Sequence, residues 1–242
     1  MEEKRYKTIQ KIGEIPTGFG RVSLNKKKEK ICGDYYTVIT DQDSTVLVLS
    51  DGLGSGVKAN ILSTLTSKII STMIAEGLSV EQCVETIAGT LPVCSVRGVA
   101  YSTFTIIKIV DNEYAEIIQY DNPHVIFLRD GKNIELPMTL MNIDSKKIYR
   151  SKVMLQENDI FITMSDGAIY AGVGNQMNFG WQRKNIIEFV EMLYDVGFTA
   201  KTLSTIILDE CNKLYGSHPG DDATACVVKI RKREPMNLLF GP

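Results

Sequence analysis

The apolar residues of this chain gather into short runs bounded by turn formers, with stretches of helical spacing set between the runs. Thr45–Leu49 and Ile160–Met164 are nearly unbroken apolar runs and read as buried strands. Ile31–Thr40 and Thr45–Ser50 flank the polar turn Asp41-Gln42-Asp43-Ser44 and predict a hairpin. Val99–Ile109 and Tyr114–Tyr120 predict a second hairpin around Val110–Glu113. His124–Arg129 and Lys132–Leu136 flank Asp130-Gly131, the strongest short hairpin signal in the chain. Ile148–Leu155, Asp159–Met164 and Ala223–Ile230 complete the strand set.

The helical patterns come in pairs. Val57, Ile61, Leu62, Leu65, Ile69, Met73 and Ile74 recur at helical spacing. Ser79 with Gln82 forms a capping box for a following helix that carries Val84, Ile87, Ala88 and Leu91. Ile186, Ile187, Phe189, Val190 and Leu193 mark a third helix, and Leu203, Ile206, Ile207, Cys211 and Leu214 a fourth. Strands in hairpin blocks with helix pairs between them predict an α+β fold with antiparallel sheets. Two sheets packed face to face, flanked by the helix pairs, use every element.

Composition narrows the setting. A chain of 242 residues fits one domain, taken here over residues 1–242, with enough length to bury a core. A net charge of -2 gives no general attraction to nucleic acid or to a membrane surface. Cys32, Cys83, Cys94, Cys211 and Cys226 are scattered, odd in number and without a Cys-x-x-Cys, which reads as reduced thiols in a cytoplasmic protein. The charged start Met1-Glu2-Glu3-Lys4-Arg5 lacks a signal-peptide core, and no apolar run approaches the roughly 20 residues of a membrane span.

The candidate chemistry lies at strand ends. Both buried runs finish in the same words, Ser50-Asp51-Gly52 and Ser165-Asp166-Gly167. Asp-Gly is also an ordinary turn dipeptide, but two such phrases, each closing an apolar strand, favour a shared role. Gly33-Asp34 and Gly220-Asp221-Asp222 place further carboxylates beside strands. Carboxylates from distant strand ends are the donor set that Mg²⁺ and Mn²⁺ prefer, since these ions take oxygen ligands and keep several waters.

Taken in order, Cys32-Gly33-Asp34-Tyr35-Tyr36, Ser50-Asp51-Gly52-Leu53-Gly54-Ser55-Gly56, Tyr101-Ser102-Thr103, Ser165-Asp166-Gly167 and Gly220-Asp221-Asp222-Ala223-Thr224 resemble the metal-dependent Ser/Thr protein phosphatase (PPM) superfamily. Within it, the chain is similar to the compact bacterial branch typified by the stage II sporulation protein E phosphatase domain, from about Gly18 to Arg231. The resemblance implies an α-β-β-α sandwich and two Mn²⁺ or Mg²⁺ ions. Asp51 would bridge them, Asp34 and the Gly52 carbonyl would complete one, and Asp166 with Asp221 or Asp222 would hold the other. Catalysis would run through metal-bound water, with the ions about 3.5–4 Å apart. It further implies a phosphorylated protein substrate such as an anti-sigma-factor antagonist in a partner-switching circuit. A homodimer or regulatory partner contact through the helices at 57–91 would act as a lever on Gly52. Larger members of the superfamily carry an arginine ahead of the first acidic residue. Here that stretch is Asn25-Lys26-Lys27-Lys28-Glu29-Lys30, with Arg21 earlier. His218 lies three residues before Asp221, whereas His124 after Pro123 reads as structural.

Competing patterns are weaker. In Gly52-Leu53-Gly54-Ser55-Gly56-Val57 the third glycine of a dinucleotide loop falls at Val57, and no P-loop Gly-Lys-Ser/Thr follows. Asp41-Gln42-Asp43-Ser44-Thr45 mimics the haloacid-dehalogenase nucleophile motif, with Asp41 as nucleophile, but sits between closely spaced strands, where a hairpin turn is the simpler reading. A non-catalytic phosphoprotein-binding module is the rival of another class. Such a module is expected to have lost ligands, and this chain retains them.

Overall fold

The computed structural model describes residues 17–41, 43–90, 102–143 and 146–231. Gln42, Leu91, Cys94, Val99, Tyr101 and the start Met1–Arg5, all used above, lie outside the described residues. The elements run β1 (Thr17–Leu24), β2 (Asp34–Thr40), β3 (Ser44–Gly52), α1 (Gly56–Ala75), α2 (Val80–Thr90), β4 (Ser102–Val110), β5 (Tyr114–Tyr120) and β6 (Ile126–Arg129). They continue with β7 (Lys132–Asn133), β8 (Thr139–Ile143), β9 (Lys146–Met154), β10 (Ile160–Met164), α3 (Asp166–Ile169), α4 (Gln182–Leu193), α5 (Ala200–Leu214) and β11 (Ala223–Ile230). One sheet has the order β1-β11-β10-β6-β7, the other β2-β3-β4-β5-β9-β8, and their strand pairings are antiparallel.

Three apolar layers follow from strand alternation. Leu47, Leu49, Ile107, Phe127, Phe161 and Val228 fill the space between the sheets. Their neighbours Val46, Val48 and Ile106 face α1 and α2. Ile126, Leu128 and Val227 face α4 and α5. Strands covered on both faces need apolar residues at successive positions, which is why the sequence shows runs rather than alternation. Among the described residues, no helix is long and apolar enough to cross a membrane. Cys32, Cys83, Cys211 and Cys226 are free thiols.

The local signals are realised in detail. Ser79 N–H donates to Gln82 Oε1 at 2.9 Å and Gln82 N–H to Ser79 Oγ at 3.2 Å, closing the capping box. Asp130 and Gly131 both take positive φ, 50° and 75°, as a tight β6–β7 turn requires. Asp41 N–H bonds Ser44 O at 2.8 Å in the β2–β3 turn. That turn joins antiparallel strands, so the parallel-sheet setting of a haloacid-dehalogenase nucleophile is missing at Asp41.

Some features depart from expectation. β1 escaped prediction because Thr17-Gly18-Phe19-Gly20-Arg21 has neither alternation nor an apolar run. β8 pairs with β9 and has three of its five residues exposed; Met141 and Ile143 pack on the layer beside α1 and α2, with no unbroken apolar run to mark the strand. β2 begins at Asp34, not Ile31, and β7 keeps only two residues. In the first half of α1 the apolar spacing marks the helix but not its inner face. Val57 and Ile61 are each 58% exposed, whereas Ala59, Ser63, Thr66, Ser67 and Ser71 are buried. Small residues are needed there because the helix lies against the backbone of β3. A Cβ on Gly52 would stand 2.0 Å from Ala59 O.

Phe161 stacks at 4.9 Å on Phe127 in the middle of the inter-sheet layer. Phe161→Ala is expected to cost about 3–5 kcal/mol in urea unfolding, and a loss under about 1 kcal/mol would show that this layer does not carry the sandwich.

Candidate active site

The two Ser-Asp-Gly phrases fold differently. In the first, β3 continues through Asp51 to Gly52. In the second, β10 stops at Met164 and Asp166 opens the single turn α3. Each nonetheless delivers its aspartate to the same end of the sandwich. Asp34 and Asp51 face each other in register across β2 and β3. Asp166 and Asp221 arrive from the other sheet, and their charges act on Asp51.

A hydrogen-bonded frame holds these groups. Ser165 Oγ donates to Asp34 Oδ2 at 2.7 Å and accepts from Thr224 N–H at 2.9 Å. One hydroxyl thereby ties the first sheet's carboxylate to the second sheet. Its counterpart Ser50 is buried, and its hydroxyl meets no partner among the described residues. Tyr215 OH donates to Gly167 O at 2.6 Å, and a Cβ on Gly167 would stand 2.0 Å from Asp222 O. The α3 turn thus packs directly on the Asp221-Asp222 backbone. Ser102 Oγ donates to Asp51 O at 3.0 Å.

The acidic pair is divided by its partners. Asp222 is buried and accepts from Gly33 N–H and from Lys26 N–H, both at 2.9 Å. Its carboxylate braces the loop before β2. Asp221 is half-exposed, and its Oδ1 lies 3.7 Å from Lys26 Nζ. Lys26 therefore stands beside the carboxylates with its main chain fixed by one aspartate and its ammonium beside the other. Glu29 of the same loop accepts from Ser55 Oγ at 3.2 Å, just before α1.

The electrostatics are those of crowded anions. Burial pushes the Asp34 carboxyl up to about 7, against the Ser165 and Thr224 hydroxyls and with added repulsion from Asp222 and Asp166. Burial, then the charges of Asp34, Asp166 and Asp221, raise Asp51 well above the usual carboxylate range. Asp166 is raised by burial and by Asp221, with a smaller push from Asp121. Asp34 Oδ1 is buried and, among the described residues, has no hydrogen-bond partner. An unpaired buried carboxylate oxygen among repelling carboxylates is costly unless a cation compensates it. The all-oxygen donor set fits Mg²⁺ or Mn²⁺. Among the described residues, the acidic, histidine and cysteine side chains form no preformed metal cage.

Several residues were not legible as parts of this site. No local pattern assigns Ser165 a role, because its bond to Asp34 spans 131 positions. Asp121 sits in the turn after β5 with φ 54° and carries no motif. His218 is exposed and its Nδ1 lies 2.8 Å from Gly216 O, within its own loop. His124 pairs with Gln119 at 3.1 Å and packs edge-on against Tyr149, a structural setting. Arg21 lies with its guanidinium 4.3 Å from the centre of the Tyr36 ring.

Comparison with known proteins gives a consistent picture. The sequence model of the Stage II sporulation protein E (SpoIIE) family matches residues 41–231. No curated protein matches by sequence. The phosphatase domain of SpoIIE from Bacillus subtilis, in a crystal form without domain swapping, superposes with TM-score 0.68 at 18% identity, covering 93% of this chain and 97% of that one. A longer SpoIIE structure from Bacillus subtilis, with the PP2C phosphatase domain and a fragment of the regulatory domain, gives TM-score 0.76 at 19% identity. That match covers 90% of this chain but 64% of the longer one, less than two thirds. RsbX in complex with magnesium gives TM-score 0.63 at 19% identity, covering 88% and 95%. The fold is therefore that of the PP2C-type phosphatases, the α-β-β-α sandwich of the PPM superfamily.

Asp34 makes a signed prediction for the metal-free protein. Its folded pKa lies above the unfolded value, so the native state binds the extra proton. That stabilisation is complete below about 3.9 and is lost as pH rises through about 7. In EDTA, the Tm of the wild type should fall between about pH 4 and pH 7, and Asp34→Asn should flatten that fall. An identical slope in Asp34→Asn contradicts the electrostatic account.

Proposed function

The chain belongs to the Stage II sporulation protein E (SpoIIE) family, and from that premise we propose that it is a Mn²⁺- or Mg²⁺-dependent phosphatase of phosphoserine and phosphothreonine in proteins. The observation that carries this reading is the buried Asp34 Oδ1, without a hydrogen-bond partner among the described residues, set among carboxylates that repel one another. We assign one ion to Asp34, Asp51 and the Gly52 carbonyl, and a second to Asp51, Asp166 and Asp221. Asp222 is left out of the ligand set, because both its oxygens already accept backbone N–H groups. When bound, the ions supply an acidified water as nucleophile and offset phosphoryl charge.

The chain's own residues do the rest. Ser165 fixes Asp34 by Oδ2 and so aims Oδ1 inward. Asp222 sets the height of the Lys26–Gly33 loop. Lys26 is the cation we assign to the phosphoryl group, in place of the arginine of larger relatives, since its ammonium already lies beside Asp221. No nearby histidine is poised as an acid, so solvent water protonates the leaving serine or threonine oxygen.

The substrate we propose is a phosphorylated anti-sigma-factor antagonist, and the setting a cytoplasmic partner-switching circuit. The regulatory contact falls on α1 and α2. Val57, Ile61 and Leu65 form an outward apolar stripe on α1. In the first half of α1 the inward face is small and polar; Ser63, Thr66 and Ser71 bond carbonyls of their own helix, and Ser67 Oγ donates to Thr37 of β2 at 2.9 Å. A partner or second copy seated on the stripe would shift α1 against β3, and with it Gly52.

Hydrolysis of p-nitrophenyl phosphate and phosphopeptides should require Mn²⁺ and stop in EDTA. Asp51→Ala should lose more than about a hundredfold, beyond the 10–100-fold typical of outer-shell partners. Folded wild type with no turnover at saturating Mn²⁺, and no metal uptake by calorimetry, would favour the binding-module reading. Lys26→Gln should raise KM more than it lowers kcat, with partial recovery in Lys26→Arg. An unchanged KM would remove Lys26 from the phosphoryl site.

A further inference from the structure

Among the described residues, a basic groove opens between the edge strands of the two sheets, next to the Gly33-Asp34 segment. Among the described residues, β1 ends one sheet and β2 the other, and the two edge strands line the same cleft. A cleft of about 440 Å³ runs between them over Tyr35, Tyr36, Thr37 and Val38 toward Lys68 of α1. A second of about 580 Å³ shares Phe19, Arg21 and Tyr36 with it and continues to Cys32 and Lys201. The two form one groove that passes residues on either side of Gly33-Asp34.

Every charged side chain lining this groove is a cation: Arg21, Lys68 and Lys201. Among the described residues, neither Arg21 nor Lys68 has a carboxylate partner. Arg21 lies over the Tyr36 ring, which holds the guanidinium in place without neutralising it. Unneutralised cations along a sheet edge suit an extended acidic chain. Its main chain would pair with the β2 edge and its side chains would meet the cations. Tyr35 to Val38 spans about 13 Å of strand, room for about four residues.

We propose that this groove selects the phosphoprotein by an extended acidic segment flanking the phosphorylated residue, with Arg21 and Lys68 reading its carboxylates. The proposal rests on the phosphatase reading for its substrate class but is judged on binding alone. Fluorescence anisotropy in EDTA compares a labelled phosphoserine peptide flanked by glutamates with its glutamine twin. The glutamate peptide is expected to bind about tenfold tighter at about 0.05 M salt, with the difference shrinking at about 0.5 M. The double variant Arg21→Gln, Lys68→Gln should lose the difference. Arg21→Glu, Lys68→Glu should turn the preference toward a lysine-flanked peptide. Equal affinity in the wild type, or a preference that survives both double variants, overturns the proposal. Turnover of p-nitrophenyl phosphate with Mn²⁺, assayed in parallel, judges the phosphatase reading separately.

Discussion

Repulsion among carboxylates at one end of the sandwich is the constraint to which the rest of the structure answers. Asp34 and Asp51 are set opposite each other by strand register, and Asp166 and Asp221 are brought to them from the other sheet. No arrangement of apolar residues relieves such a cluster. Either protons or cations must occupy it. The upward shifts of Asp34, Asp51 and Asp166 are the protonic answer, and bound divalent ions are the answer on which the proposed catalysis depends.

Holding the anions together takes rigid support from both sheets. The three apolar layers set the distance between the sheets. Ser165 then links them at the site itself, with Asp34 on one side and Thr224 on the other. Asp222 contributes as a brace rather than as another free anion, since it accepts two backbone N–H groups. This division of the adjacent pair lets Asp221 face the cluster while its neighbour fixes the loop that carries Lys26. The same loop reaches Ser55 through Glu29, so the entry to α1 and the carboxylates share supports.

Much of this was legible in the sequence where the cause was local. The capping box at Ser79 and the Asp130-Gly131 turn are determined within a few residues. The double Ser-Asp-Gly marked both strand ends, although it concealed that one phrase continues a strand and the other starts a helical turn. What was hidden depends on distant partners. β1 is a strand because β11 pairs with it, despite its glycines. The exterior position of Val57, Ile61 and Leu65 follows from the close approach of Ala59 to Gly52, which no periodicity encodes. Asp221 and Asp222 are chemically identical in sequence and differ only in what their oxygens meet once folded.

Anomalous diffraction from crystals soaked in Mn²⁺ would show whether the carboxylate cluster holds two ions. Two manganese peaks are expected beside the Asp51 carboxylate, one toward Asp34 and Gly52 and one toward Asp166 and Asp221, with Asp222 still bonded to Gly33 and Lys26. Soaked crystals with no peak at Asp51, or with manganese held by Asp222, would contradict the two-ion site.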